Sequence, residues 1–236
     1  MQVLANWNLK MIDNFIYDPS RPLGRGNSCE VYKALDTANK NSEAIVKVFP
    51  ASILQDPEVS RLFLSEINIL RQFKGPHVAQ LLDVKQTKNN IYLFFEYCDN
   101  GSLKKFVDLR EKFSEAEACT VLKQIAEAFL TLEGKKIIGD LGESVKLIHG
   151  NLHPGNIMYD GNQIKVADFG LARLFREIDE YMAQDAVIQH PEYACPQVLN
   201  NERYTGKCDV WSAGVIIYEL IYGRLPWNGA TAAQVA

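Results

Sequence analysis

The apolar residues of the first hundred positions form short runs of β-branched and aromatic side chains, separated by turn residues. Such runs predict strands, and the clearest are "EAIVKVF" at 43–49 and "NIYLFFEY" at 90–97. The segment 57–73 instead repeats its apolar residues at helical spacing. The front half of the chain is therefore predicted to be a sheet accompanied by one helix.

After Gly101 the pattern becomes helical. Ser114 and Glu117 have the spacing of a capping box, which marks the start of a helix. Apolar side chains then recur at helical spacing: Val121, Leu122, Ile125 and Phe129. A mainly β front half followed by a mainly helical back half predicts an α+β fold with two lobes and a cleft where they join, near residues 98–101.

The composition narrows the range of partners. The 236 residues are 47% hydrophobic, which is sufficient for a core of ordinary size. The net charge of -4 leaves no basic footprint, so we expect no nucleic-acid partner. The most apolar stretch, 210–222, is too short to cross a bilayer, and the N-terminus has no apolar secretion signal. We therefore expect no membrane partner.

The cysteines indicate the redox environment. The chain has five, at Cys29, Cys98, Cys119, Cys195 and Cys208. No pair has metal-ligand spacing, and the number is odd. We therefore expect reduced thiols in a cytoplasmic protein rather than a disulfide framework.

Three charged residues stand in apolar surroundings. Lys47 lies inside the apolar strand 44–49, and Glu66 lies on the apolar face of the predicted helix. Asp168 ends the strand "QIKVAD". Because a buried lone charge is costly, a Lys47–Glu66 pair that fixes the helix against the sheet is one interpretation. The alternative is that Lys47 reaches water along its stem and Glu66 lies at the rim of its helix face.

Glycines precede this strand in "LGRGNSCEVY". Gly24 and Gly26 permit a tight turn whose backbone amides can approach phosphates. Taken alone, the two glycines are better explained by an ordinary hairpin turn. Further along, "LIHGNLHPGNIMYD" places polar residues between two apolar segments at 147–160.

Together these segments resemble the eukaryotic protein kinase family, in order and in spacing, over residues 15–227. The resemblance includes "FFEYCDNGSL" as the hinge, "VADFGLAR" with Asp168-Phe169-Gly170, and "CDVWSAGVIIYEL" as helix F. It implies that Asp209 in helix F holds the catalytic loop at 149–156. It also implies a stack of apolar side chains between the lobes: Leu70, Leu81, His149 and Phe169.

The resemblance implies a site for ATP with Mg²⁺. The residues that it assigns to the nucleotide are Gly24, Gly26, Val31, Ile45, Lys47, Glu66, Phe95, Glu96, Cys98 and Met158. Asn156 and Asp168 stand at the metal-ligand positions. Ile45 replaces a small alanine and Cys29 replaces the third glycine, so we expect ATP to bind more weakly than in typical members.

The catalytic loop departs from the family at its charged positions. Asn151 stands where the family has the catalytic aspartate, and an amide has no basic lone pair near neutral pH. His153 replaces a lysine and Gly150 replaces an arginine that pairs with a phosphorylated activation segment. That segment, 171–195, contains no Ser or Thr, and its only hydroxyl side chains are tyrosines.

Two positions beyond the loop also differ from the family. His190 replaces a threonine, and Gln197 in "HPEYACPQ" replaces a glutamate. The expected function is therefore that of a pseudokinase, a nucleotide-binding scaffold or interaction module. The alternatives are a weakly active Ser/Thr-type kinase that transfers the γ-phosphate of ATP to protein, and a structural component that binds no nucleotide.

The resemblance predicts a bilobal protein-kinase-like fold. Residues 1–14 are expected to form an N-terminal extension, 15–97 the N-lobe, and 98–236 the hinge and a partial C-lobe. Helix F, at 209–222, is apolar on nearly every side and is predicted to be buried all round. Since only 223–236 follow, we expect a C-lobe truncated after helix F, with a protein partner packed near that helix.

Overall fold

The computed structural model describes residues 8–26, 29–133, 137–138, 144–160, 163–169, 173–176, 181–182 and 188–227. The chain divides into two compact units. The first unit comprises Met1–Arg71 and Gln80–Tyr97, and the second comprises Gln72–Ala79 and Cys98–Ala236.

The first unit is an antiparallel sheet with one α-helix. Its strands are β1 (Lys10–Ile12), β2 (Phe15–Arg25), β3 (Glu30–Asp36), β4 (Ser42–Pro50), β5 (Leu81–Gln86) and β6 (Asn90–Glu96). They lie in the order β1-β2-β3-β4-β6-β5. The helix α1 is Pro57–Leu70, so it ends before Phe73, the predicted end. Strand β1 falls in the stretch assigned to the N-terminal extension, and it pairs with β2.

Alternation along the strands builds the core of this sheet. Ala44 and Val46 of β4 are fully buried, while Ile45 and Lys47 between and after them are only partly buried. One side of the sheet carries the core cluster of Ile12, Phe15, Tyr17, Tyr32, Ala34, Ala44, Val46, Tyr92 and Phe94. Because successive residues of a strand point to opposite faces, Ile45 and Lys47 belong to the other side.

The second unit contains four α-helices and several short strands in its described part. The helices are α2 (Leu103–Leu109), α3 (Glu115–Glu133), α4 (Pro196–Leu199) and α5 (Lys207–Tyr222). The strands are β7 (Gly101–Ser102), β8 (Ile137–Ile138), β9 (Ser144–Ile148), β10 (Ile157–Asp160), β11 (Gln163–Val166), β12 (Arg173–Arg176), β13 (Tyr181–Met182) and β14 (Arg203–Tyr204). They form sheets in the orders β11-β10-β7, β12-β9-β8 and β13-β14.

The start of α3 confirms the predicted capping box. The Ser114 amide donates to the Glu117 carboxylate at 2.9 Å, and the Glu117 amide donates to the Ser114 hydroxyl at 3.3 Å. The Ser114 amide and hydroxyl, followed by Arg110, donate to the Glu117 carboxylate and lower its pKa because they favour its charged form. The buried stripe of the helix is Ala118, Val121, Ile125, Ala128 and Leu132. Leu122, which the predicted stripe included, is exposed.

Within the described residues α5 is buried along one side, and burial of helix F all round, which was expected to need a partner, stays a prediction. Its inner side contains the buried residues Cys208, Asp209, Ser212, Ala213, Val215, Ile216, Glu219 and Leu220. Val210 and Tyr222 are 64% and 59% exposed, and Trp211 is also exposed. On this side Trp211 stacks on Trp227 with ring centres 5.9 Å apart, and Tyr222 contacts Tyr218, yet Val210 and Tyr222 stay largely exposed. Residues 228–236, in which no second apolar helix was expected, lie outside the described part.

The prediction of reduced thiols is wrong for one pair. Cys195 and Cys208 form a disulfide with a Cα–Cα separation of 5.2 Å. The folded chain brings together Cys195, just before α4, and Cys208, in the first turn of α5. Cys119 on α3 is an exposed free thiol. Sequence spacing could not reveal the pair, because neither residue belongs to a spaced motif.

Candidate nucleotide and catalytic sites

The first unit brings five of the predicted nucleotide residues to neighbouring positions of one sheet. Gly24 of β2 lies opposite Val31 of β3, and Val31 lies opposite Lys47 of β4. Ile45 lies opposite Phe95 of β6. The Lys47 ammonium is 5.6 Å from the centre of the Phe95 ring, within reach of a cation–π contact.

Two other predicted residues of this unit are engaged locally. The Gln80 amide donates to the Glu96 carboxylate at 3.0 Å, and the Glu96 amide donates back to the Gln80 carbonyl at 3.1 Å. The Gly26 amide donates to the Cys29 carbonyl at 2.8 Å, which closes the turn between β2 and β3. That amide is therefore used within the loop. Glu66 lies in α1 and is partly buried, and its pairing with Lys47 stays a prediction.

In the second unit, Asp209 holds the catalytic loop, which is the role that the resemblance implies. Its two carboxylate oxygens accept hydrogen bonds from the backbone amides of His149, at 2.8 Å, and Gly150, at 2.9 Å. Burial raises the pKa of the Asp209 carboxyl, while the His149 ring and the two amides act in the opposite direction. Gly150 adopts a φ of 70°, a left-handed conformation that glycine adopts without steric cost.

His149 joins the loop to the strand β11 and the residues after it. Its Nε2 lies 3.0 Å from the Ala167 carbonyl, and its Nδ1 lies 3.2 Å from the Asn151 amide. A proton on Nε2 lets the ring donate to the Ala167 carbonyl, while Nδ1 accepts the Asn151 amide. The ring packs against Phe169 at 4.6 Å, and Phe169 meets Phe73 edge to face at 4.8 Å. Phe73 was not assigned a role from the sequence.

Of the two metal-ligand positions, Asn156 ends the loop, and Asp168 follows Ala167, whose amide bonds to Asn156. The Asn156 side-chain NH₂ donates to the Asn151 carbonyl at 2.9 Å, and the Ala167 amide donates to the Asn156 carbonyl at 2.8 Å. The side-chain oxygen of Asn156 is then the atom suited to a cation. Asp168 adopts a φ of 59° and is exposed. An amide oxygen and a carboxylate fit the ligand preference of Mg²⁺.

The amide that replaces the catalytic aspartate has a specific partner. The Asn151 NH₂ donates to the side-chain oxygen of Gln189 at 3.4 Å, and Asn151 is buried. Gln189 was not assigned a role from the sequence, and the single chain contains no signal that identifies it. The position of the catalytic base is thus occupied by a hydrogen-bonded amide pair.

The histidine that replaces the lysine is uncharged. His153 stacks on His190 with ring centres 3.8 Å apart, and its Nδ1 accepts the Gly155 amide at 3.1 Å. Burial, followed by repulsion from His190 and His149, lowers the pKa of His153 to about 3. A ring with this pKa supplies no fixed cation at neutral pH.

This lowered pKa predicts a pH dependence of stability. The folded state binds the His153 proton only near pH 3, whereas the unfolded chain binds it near pH 6.5, so lowering the pH favours unfolding in this window. We expect the free energy of unfolding to fall by about 2 kcal/mol more in the wild type than in His153→Gln between pH 7 and pH 4, allowing for partial solvent contact. Urea titrations at several pH values measure this difference. Parallel curves for the two proteins would contradict the neutral, buried ring.

The segment after the activation loop is attached to α5 by buried polar contacts. The Tyr193 hydroxyl donates to the Glu219 carboxylate at 2.6 Å, and the Ser212 hydroxyl donates to the Tyr193 carbonyl at 2.8 Å. Burial raises the pKa of Glu219 and that of Tyr193. Glu219 was not assigned a role, although a lone acidic residue in an apolar helix is a recognisable signal. Tyr193 is buried, while the activation segment around Tyr181 lies mostly outside the described residues.

A cavity of about 50 Å³ opens beside the catalytic loop. Its lining includes Asn151, Gln189, His190, Tyr193, Cys195 and Cys208. All of these residues belong to the second unit.

Two predicted nucleotide residues, Cys98 and Met158, also belong to the second unit. Cys98 is buried, and Met158 in β10 lies opposite Ser102.

A loop held by a buried aspartate and an Asp-Phe pair after β11 are features of a kinase domain. The sequence model of the family described as "Protein kinase domain" matches residues 17–236 of this chain. The chain belongs to the protein kinase domain family. The predicted fold class, an α+β protein-kinase fold with two lobes, is confirmed.

Curated relatives are protein kinases by name. The chain is 31% identical to the mouse "Serine/threonine-protein kinase ULK3" over 98% of its own length and 46% of that protein. It is 33% identical to the bovine "Serine/threonine-protein kinase 33" over 93% of its length and 45% of that protein. It is 30% identical to the zebrafish "Serine/threonine-protein kinase SIK3 homolog" over 91% of its length and 17% of that protein. The chain therefore spans less than half the length of these relatives.

Among the described residues, no helix is both long enough and apolar enough to pass through a membrane.

Proposed function

We propose that this kinase domain is a pseudokinase: it binds Mg²⁺-ATP and serves as a cytoplasmic scaffold, with little phosphoryl transfer. One observation carries the proposal, the absence of charge at the two replaced catalytic-loop positions. Asn151 is an amide bonded to Gln189, and His153 is a neutral ring stacked on His190.

The lost groups matter because of what they do in transfer. A general base contributes roughly 10²–10⁴-fold to a rate, and the Asn151 NH₂ offers a donor where an acceptor is needed. The neutral His153 leaves the charge that develops on the phosphoryl oxygens without its usual cation. Both losses weaken the stabilisation of the transition state more than the binding of ATP. A domain that has lost catalysis can therefore still bind nucleotide.

Nucleotide binding rests on the residues that remain. When bound, Mg²⁺-ATP would supply the transferable phosphoryl group and a cation that offsets the phosphate charge. Lys47 stands on the sheet face opposite to the core cluster, suited to pair with phosphate oxygens. Asn156, oriented by the Asn151 carbonyl, and Asp168 would hold the metal. In the first unit, Val31, Ile45 and Phe95 are the residues that would contact the adenine, with Ile45 crowding it.

A weakly active Ser/Thr kinase is the second candidate. It is favoured by the names of the relatives and by the loop frame that Asp209 maintains. Phosphoryl transfer depends mostly on positioning and charge stabilisation, so a held loop without its base can retain a low rate.

The scaffold role needs a protein partner, and the outer side of α5 is our proposed contact. Val210, Trp211 and Tyr222 are exposed there. Exposed apolar patches commonly mark protein interaction sites. If the proposal is correct, the protein associates at micromolar concentration and Trp211→Ser reduces the association. Light scattering that shows a dilute monomer for both proteins would refute this contact.

Calorimetric titration with ATP, with and without Mg²⁺, tests nucleotide binding. We expect Mg²⁺-dependent binding that weakens about 10-fold or more in Lys47→Met, since one charge-assisted phosphate contact is worth about 1.5–3 kcal/mol. Lys88→Met, the same change at an exposed lysine, is the control. Absence of binding would favour the purely structural component. Transfer of radiolabelled phosphate to a peptide at ~1–100 per second would identify an active kinase instead.

A further inference from the structure

The Cys195–Cys208 disulfide lies beside the catalytic loop. Cys195 is 2% and Cys208 is 8% exposed, and they are 13 residues apart in sequence. Both line the cavity that also contains Asn151. The bond therefore joins two walls of one small space.

Each cysteine lies within two residues in sequence of a residue that makes a structural hydrogen bond beside the cavity. Cys208 directly precedes Asp209, which holds the backbone of His149 and Gly150. On the other wall, Cys195 lies two residues after Tyr193, whose carbonyl accepts the Ser212 hydroxyl. A change at this bond therefore acts on the wall of the cavity and on the start of α5 together.

The local chemistry favours exchange at Cys208. It is the second residue of the sixteen-residue helix α5, where the positive end of the helix dipole stabilises a thiolate. Cys208 is also the more exposed residue of the two, and it lines the cavity beside the loop. The exposed thiol of Cys119 is typical of proteins in reducing compartments, where disulfides are transient.

We propose that Cys195 and Cys208 form a reversible thiol–disulfide switch, closed by glutathione disulfide and opened by glutathione. The Cys208 thiolate attacks one sulfur of glutathione disulfide and releases a glutathione thiolate, which takes up a proton. The Cys195 thiolate then attacks the Cys208 sulfur of the mixed disulfide and expels the second glutathione. Two thiols thus lose two protons and two electrons, and the glutathione disulfide is reduced to two glutathione molecules.

The oxidised form holds residues 189–200 against α5, and the reduced form loosens them around the cavity. The Tyr193–Glu219 bond involves neither sulfur, so it anchors Tyr193 in both forms while the chain on either side of it loosens. The switch operates whether or not the chain transfers phosphate. It regulates access to the surface next to Asn151.

Equilibration in glutathione buffers of graded ratio tests the switch. Remaining thiols are alkylated, peptides are mapped by mass spectrometry, and hydrogen exchange is followed at 189–200. We expect a linked Cys195–Cys208 peptide that titrates reversibly, and exchange at least 10-fold faster in the reduced form. The oxidised form should melt about 5–10 °C higher, as expected for a short cross-linked loop.

Cys119→Ser is the matched control and should leave the titration unchanged. Cys208→Ser should abolish both the linked peptide and the redox dependence of exchange, and the wild-type comparison stands even if that variant folds poorly. Three results would overturn the proposal: no linked peptide at any ratio, a linked peptide that excess glutathione fails to reduce, or reversible linkage without a change in exchange.

Discussion

Asn151→Asp combined with His153→Lys is expected to raise phosphoryl transfer by about 10²-fold or more over the wild type. The introduced carboxylate replaces an amide that donates to Gln189, and it provides the acceptor that the substrate hydroxyl proton needs. The introduced ammonium replaces a ring whose pKa of about 3 keeps it neutral. Each new charge also gives the other a partner, which limits the cost of placing both in a partly buried loop. A radiolabelled-phosphate assay on a generic peptide measures the rate.

The single variants and a metal-ligand variant make this experiment specific. Asn151→Asp alone should gain less, because its carboxylate then has no cation at position 153, where the His153 ring is neutral. Adding Asp168→Asn to the double variant should remove the gain if Asp168 holds the metal. A double variant that binds Mg²⁺-ATP yet stays at the wild-type rate would show that the two positions are not what limits transfer.

Asp209→Ala is expected to lower the free energy of unfolding by about 3 kcal/mol. The change leaves the buried amides of His149 and Gly150 without their acceptor. Asp209→Asn should cost less, because the amide oxygen retains one of the two bonds. Denaturant unfolding measures the stability, and hydrogen exchange at the two amides reports whether the loop has loosened.

Asp99→Ala is the control for this substitution. Asp99 is exposed, so removing its carboxylate should change the stability by no more than about 0.5 kcal/mol. If Asp209→Ala proved as mild as Asp99→Ala, the loop would have to be held by other contacts, such as the bond between Asn156 and the Asn151 carbonyl.

The family and most of the first unit could be predicted from local patterns. The strands β4 and β6 coincide with runs of β-branched and aromatic residues, and α3 begins where Ser114 and Glu117 cap it. The replacements at Asn151 and His153 are differences in residue type, so they can be recognised without a structure. Such features depend on residues within one turn or one strand, so a single sequence contains them.

Other features depend on residues far apart in the chain. The sequence indicated neither the Cys195–Cys208 pairing nor the bond between Asn151 and Gln189. The apolar pattern of α5 predicted burial on every side, because hydropathy records what a helix can bury and not what covers it.

By itself the sequence determined the kinase frame and the loss of two catalytic charges. The tertiary structure alone decided how those changes are accommodated. His153 is neutral because burial and the neighbouring rings of His190 and His149 disfavour its charged form. Tyr193 donates a buried hydrogen bond to Glu219 because α5 packs against the segment 191–193. The desolvation and the hydrogen-bond pairing of a side chain depend on neighbours that only folding brings close. No local stretch of the sequence can therefore predict them.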